Sequence, residues 1–229
     1  MAPLGSLLRL GSSLLVLAAA ANAHFALVAP PPLEGGAMDE SLQPNGPCGG
    51  GVADLSGDGP PTVDFHVGGD AVALALLHPQ ANWLIRGTLD PRADGNWTQL
   101  FPIVRQSGRG SFCEPVVAAP SEWAGQKGFI GIACNAPDGL LFQCAAVKFV
   151  SGTNTFPDGS ACTNGSSVTI EEIDDDPALT ALLTGETPTT EPGSDEDEPN
   201  AASSVLSGGL PIGSFVIAAV MFLVGAALV

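Results

Sequence analysis

Apolar residues recur in short runs through the middle of the chain. "TVDFHV", "AVALALLH", "NWLIRG", "LFPIV", "FIGIAC" and "LLFQCAAVKFV" follow one another, several alternating with period two. That period puts successive side chains on opposite faces of a strand. Clusters such as "VGGD", "ADGN" and "APDG" divide the runs, and these are turn formers. Glycine and proline are too frequent for a helical bundle. Short strands with turns at this spacing predict an all-β sandwich.

The pattern breaks at both ends. Residues 1–23 combine Arg9, the apolar "LLVLAAA" and Ala21-x-Ala23. A basic residue, a short apolar stretch and small residues at a cut site predict a secretory signal peptide. From residue 201 to Val229 the chain ends in "LPIGSFVIAAVMFLVGAALV" behind small residues, with no charge after the tail. Small residues, a spacer and a terminal apolar tail predict a GPI-attachment signal, with Asn200 as the lipidated residue. Ser203, Ser204 and Gly208 are rival attachment sites, and a single transmembrane helix is the competing reading of the tail. Between domain and tail, residues 165–200 carry eleven acidic residues and no basic one. This Pro/Thr/Ser-rich stretch predicts a disordered, self-repelling stalk.

The expected organisation is therefore a signal peptide over 1–23, a folded domain over 24–164, a linker over 165–200 and a propeptide over 201–229. Such a chain is extracellular, held on the plasma membrane or in the cell wall. Asn96-Trp97-Thr98 and Asn164-Gly165-Ser166 are glycosylation sequons that suit this location. Net charge is −17, and residues 24–164 hold thirteen acidic against six basic residues. This balance argues against nucleic acid as a partner. No GxSxG elbow, Ser-His-Asp motif or phosphate-cradling loop occurs, so nothing supports nucleophilic hydrolysis. The five cysteines are Cys48, Cys113, Cys134, Cys144 and Cys162. An odd count leaves one over, and spacing alone does not decide the pairing.

Candidate chemistry starts at the expected cut. It leaves His24, one of only three histidines, as the first residue. A terminal histidine offers a metal both its α-amine and its ring Nδ1. A second histidine completes three nitrogens in a plane, a set that suits Cu(II). His78 ends an apolar strand and precedes Pro79, which places it at the rim of the sandwich. It is favoured over His66, which lies in "TVDFHV" opposite in parity to Val63, Phe65 and Val67.

These residues also form an ordered set: His24-Phe25, "PPP", Pro47-Cys48-Gly49-Gly50, His78-Pro79, Gly110-Ser111-Phe112-Cys113 and "LFQCAAV". Over about residues 24 to 164 the chain resembles the fungal copper-acquisition proteins, GPI-anchored relatives of the lytic polysaccharide monooxygenases. The resemblance implies an immunoglobulin-like β-sandwich with a histidine-brace copper site at His24 and His78. It implies copper handling at the cell surface rather than polysaccharide cleavage, with a surface copper transporter or cell-wall polysaccharide as further partners. It also implies the disulfides Cys48–Cys162 and Cys113–Cys144, leaving Cys134 free, with a Cys134–Cys144 bond as the alternative. The family carries "CAD" where this chain has Cys144-Ala145-Ala146, so Ala146 stands where a carboxylate ligand is expected, with His66 or Asp70 as substitutes. Phe142 then falls at the axial position. The competing functions are a structural wall module with a degenerate site and an oxidative enzyme acting on chitin or glucan. The second is disfavoured by the absence of tyrosine and the presence of only Trp83, Trp97 and Trp123.

Overall fold

A computed structural model describes residues 24–33, 39–57, 59–154 and 162–185. The expected signal peptide, apolar tail and Asn200 lie outside the described residues. Ten strands account for most of the order. They are β1 (Phe25–Ala29), β2 (Val63–His66), β3 (Asp70–Leu76), β4 (Gln80–Thr88) and β5 (Thr98–Gln99). After these come β6 (Val104–Ser107), β7 (Gly110–Val117), β8 (Lys127–Ala136), β9 (Gly139–Val150) and β10 (Thr169–Glu172). One helix, α1 (Pro177–Thr184), follows.

The strands form two sheets, as the alternating runs predict. The smaller has the order β1-β3-β7, and the larger runs β10-β6-β4-β8-β9-β2 with β5 attached to β4. All pairings are antiparallel except β2 with β9. The core lies between the sheets. Phe25, Leu27, Leu74, Leu76 and Phe112 of the smaller sheet belong to one buried cluster with Trp83, Ile85, Ile130, Ile132, Leu141, Ala145 and Phe149 of the larger. Phe25 and Trp83 meet edge to face with ring centroids 5.1 Å apart. Each such buried aromatic or aliphatic side chain stabilises the fold by about 1.5–3 kcal/mol.

The larger sheet is also covered on its outer face. On β9, Leu141, Ala145, Val147 and Phe149 join the central core, whereas Phe142, Cys144 and Ala146 point the other way into two smaller clusters. Cys48, Leu33, Ala53, Leu55, Ala93 and Trp97 cover one part of that face. Leu179 of α1 covers another.

This division of faces corrects the expected disulfides. The bonds are Cys48–Cys144 and Cys113–Cys162, with Cα–Cα distances of 5.0 and 5.2 Å. Cys144 lies outside the larger sheet. Cys113 follows core-facing Phe112 and so lies outside the smaller one. A Cys113–Cys144 bond would have to cross both sheets and the core, about 10 Å from sheet to sheet, which exceeds disulfide reach. Cys134 is free and buried, as expected. It faces the core, away from Cys144, which excludes the alternative bond. Burial, and the charge of Asp138, push its thiol far up. The two bridges close loops of 96 and 49 residues, worth about 4–5 kcal/mol each by chain entropy.

A second correction concerns the linker. Residues 165–185 do not stand free of the domain. β10 pairs with β6 through Ile170↔Gln106, and Leu179 of α1 is fully buried. Asp176 is the reason the acidic run ends in a helix. Its Oδ1 accepts from Ala178 N at 3.1 Å and Leu179 N at 3.2 Å, and Pro177 occupies the first turn. This is a helix start in sequence terms, worth about 1 kcal/mol at the cap. The same carboxylate accepts from Asn82 Nδ2 at 2.8 Å and Asn135 Nδ2 at 2.9 Å. An acid that looked solvated therefore docks the helix on β4 and β8. Residues 186–200 lie outside the described residues.

Candidate metal centre

His24 enters the site through strand pairing. β1 runs against β3 with Phe25 opposite Leu76, and Leu77 N donates to His24 O at 3.1 Å. His24 thus sits across from Leu77, and His78 is the next residue. Pro79 has no N–H and ends β3 there.

The free edge of β1 is closed by two buried glutamines. Gln43 Oε1 accepts from Phe25 N at 3.4 Å, and its Nε2 donates to Phe25 O at 2.6 Å. Gln143 Nε2 donates to the same carbonyl at 3.0 Å, and its Oε1 accepts from Leu27 N at 2.6 Å. An edge strand normally exposes these groups. Here amides from β9 and from the turn after Glu40–Leu42 replace a neighbouring strand and hold the chain next to His24. That turn is itself fixed to β9, because Phe142 N donates to Gln43 O at 2.9 Å.

The same rim receives the β8–β9 turn. Asn82 of β4 pairs with Asn135 of β8, and Ala136 pairs with Gly139 across Pro137-Asp138. Continuing that register brings the β3–β4 and β8–β9 connections to one end of the sandwich. His78 Nε2 lies 2.8 Å from Asp138 Oδ1, and His24 Nδ1 lies 3.4 Å from Glu40 Oε2. Both imidazoles are buried, at 8% and 4% exposure. Neither nitrogen makes a hydrogen bond. The approach to Asp138 is close but misaligned for one, so it is an electrostatic contact rather than a directed bond.

Two buried ring nitrogens without hydrogen bonds, each beside a carboxylate, fit a metal that takes nitrogen and anionic oxygen. Among the described residues no three His, Cys, Asp or Glu side chains gather as a metal cluster. A brace does not need three, because its third nitrogen is a backbone amine.

The other residues singled out from sequence fall elsewhere. His66 lies on β2 opposite Val150, at the far end of β9 from Asp138. Its Nδ1 meets Asp70 Oδ2 at 2.8 Å. Asp70 begins β3, whereas His78 follows its end. Neither therefore stands in for a missing ligand. Burial pushes the Asp70 carboxyl up, but bonds from the His66 ring and N–H, Asn154 and Ala71 outweigh it and leave the group below its usual range. Ala146 is opposite Phe129 in a buried apolar cluster, well along β9 from the rim. Phe142 also packs on the outer face of the larger sheet. Ala146 thus lies apart from both histidines, and the carboxylates beside His24 and His78 are those of Glu40 and Asp138. The sequence showed Asp138 only as part of the turn "APDG". Asn96 and Asn164 are both exposed. Asn164 Oδ1 accepts from Cys113 N at 2.8 Å, which leaves its Nδ2 as the atom a glycan would take.

Comparison with known proteins decides the family. Residues 22–167 match the model for copper acquisition factor BIM1-like domains. The chain belongs to the BIM1-like copper acquisition factor family. It is also 29% identical over 175 residues to lytic polysaccharide monooxygenase-like protein X325 of Yarrowia lipolytica, covering 70% of this chain and 61% of that protein. The chain spans less than two thirds of that relative's length. Membership of the BIM1-like family makes copper the metal against which the rim must be judged. Its fold class is the all-β sandwich of lytic polysaccharide monooxygenase-like proteins.

Proposed function

We propose that the chain, cleaved before His24 and anchored outside the cell by a GPI group at Asn200, captures Cu(II) through a histidine brace and passes it on. His24 would supply its amine and Nδ1, and His78 its Nε2. Asp138 would supply the nearby anionic oxygen, and Glu40 would add negative charge at the open side. The bound ion would contribute the affinity for a transferable ligand or partner donor. The protein's part is to hold two imidazoles in place and keep competing hydrogen-bond donors away from them.

The observation that carries this reading is the pair of buried nitrogens, His24 Nδ1 and His78 Nε2, that lack hydrogen bonds and stand beside carboxylates. Capture is favoured over oxidation of a polysaccharide by where the tryptophans lie. Trp83 is in the core, Trp123 packs on Phe149, and Trp97 packs over Arg86. None is placed as a sugar platform beside the rim. The test is electron paramagnetic resonance of Cu(II) on protein starting at His24. A tetragonal spectrum with nitrogen hyperfine structure is expected, and its survival in His78→Ala would overturn the reading. An assay for oxidised oligosaccharides should stay blank on chitin and glucan.

A further inference from the structure

Away from the metal rim, the outer face of the larger sheet holds a buried cation that no described acidic side chain neutralises. Arg86 is 2% exposed and forms no ion pair among the described residues. Its Nη1 donates to Leu182 O at 3.1 Å, but its buried Nε finds no acceptor. Burial lowers the guanidinium to about 10. A buried guanidinium with no carboxylate partner keeps donor capacity that a ligand could use.

The surroundings are built and not incidental. The Trp97 ring lies 4.1 Å from the guanidinium carbon, and the Phe142 ring lies 5.9 Å from it. A Cβ at Gly131 would stand 2.6 Å from the Trp97 ring, so only glycine there lets the indole lie down. A cavity of about 390 Å³ opens beside these groups, walled by Pro47, Phe142, Leu182 and Leu183, with Asp94 and Asn96 also lining it.

We propose that this cavity binds a carboxylate carrying an apolar body. The guanidinium fork takes the carboxylate, for which its planar donors are matched, and the rings and leucines enclose the rest. Asp94 narrows the choice of ligand, since its charge disfavours a polyanion. Two sources offer this chemistry. One is a small organic acid from the medium. The other is the side chain of Glu186, which follows Gly185, a residue lining the cavity.

The test uses the processed full-length chain and benzoate at constant ionic strength, followed by calorimetry, with benzamide as neutral control. Saturable benzoate binding to the native protein identifies the external source. Binding that appears only in Glu186→Gln identifies the chain's own carboxylate. Either outcome supports a carboxylate site. Arg86→Lys keeps the charge but loses the fork, and should weaken benzoate at least about tenfold. Arg86→Gln should abolish binding. Trp97→Leu gives a second variant if Arg86→Gln fails to fold, and should also weaken it. Cu(II) affinity should be unchanged in all of them. The proposal is overturned if neither native protein nor Glu186→Gln binds benzoate, if benzamide binds as well, or if Arg86→Lys binds undiminished.

Discussion

Each end of the sandwich carries a histidine against an aspartate, both at 2.8 Å, and the two pairs are built to opposite purposes. His66 and Asp70 form a closed network. Asp70 accepts from the His66 ring, the His66 and Ala71 N–H groups and Asn154. The His66 ring is 31% exposed. His78 and Asp138 form an open pair. The ring is 6% exposed, its Nε2 is unbonded, and the Asp138 carboxylate stands 41% exposed in a turn. Distance alone does not distinguish structure from site. Satisfaction does: a saturated pair holds a turn, and a buried unsaturated pair has capacity left for a ligand.

The comparison breaks hardest if a carboxylate is placed between the two ends. Ala146→Asp would bury a charge among Cys48, Phe129 and Cys144. It should cost several kcal/mol, read by denaturant unfolding, and should not tighten Cu(II). Tighter binding would return the ligand role to that position.

At the open end, one added residue before His24 should weaken Cu(II) about a hundredfold or more. An amide nitrogen replaces an amine, and competition titration reads the loss. His78→Ala should lose a similar factor, while His66→Ala should leave affinity unchanged. Equal affinity of extended and native termini would remove the brace.

The aspartates should then separate cleanly. Asp138→Asn should lower Cu(II) affinity about tenfold, within the range for groups supporting a metal ligand, with little change in unfolding. Asp70→Asn should do the reverse, leaving affinity intact and costing about 1–3 kcal/mol because donors then face donors.

The smallest effect lies in acid. The folded Asp70 carboxyl sits below its usual range, so the stability it contributes is complete above about pH 4. That contribution is lost as pH falls through the folded value. Thermal unfolding of native protein and Asp70→Asn should converge below that window. A gap that persists unchanged would remove Asp70 as an acid-sensitive clasp.

Much of this was legible in the residues, for reasons that also set the limit. Period-two runs report burial directly, so the strands and the sandwich emerged. Pro79 marks a strand end because it cannot continue a ladder, and this placed His78 at a rim. Parity along "LLFQCAAVKFV" separates two faces but does not say which loop crosses which face. The resemblance, not parity, implied the Cys113–Cys144 bond and a ligand position at Ala146, and parity alone could not show that Cys113 and Cys144 lie outside opposite sheets. Asp138 was hidden because "APDG" is sufficient as a turn. Its second role depends on β4 and β8 ending together, which is a property of register. Asp176-Pro177 followed by Ala-Leu is a helix start, but it is masked by the acidic run around it.

The two glutamines on Phe25 have a consequence for kinetics as well as for position. On the proposed mature chain Phe25 is the second residue, and the ends of chains commonly fray. Here three hydrogen bonds and a core aromatic contact hold that residue within one step of the amine. The ordering of the terminus is completed when the domain folds and not when an ion arrives. In the proposed function a metal would meet an ordered terminus, and the chain would lose little conformational entropy on capture. Release would likewise proceed without unravelling the strand, and the terminus would be emptied and refilled with the sandwich intact.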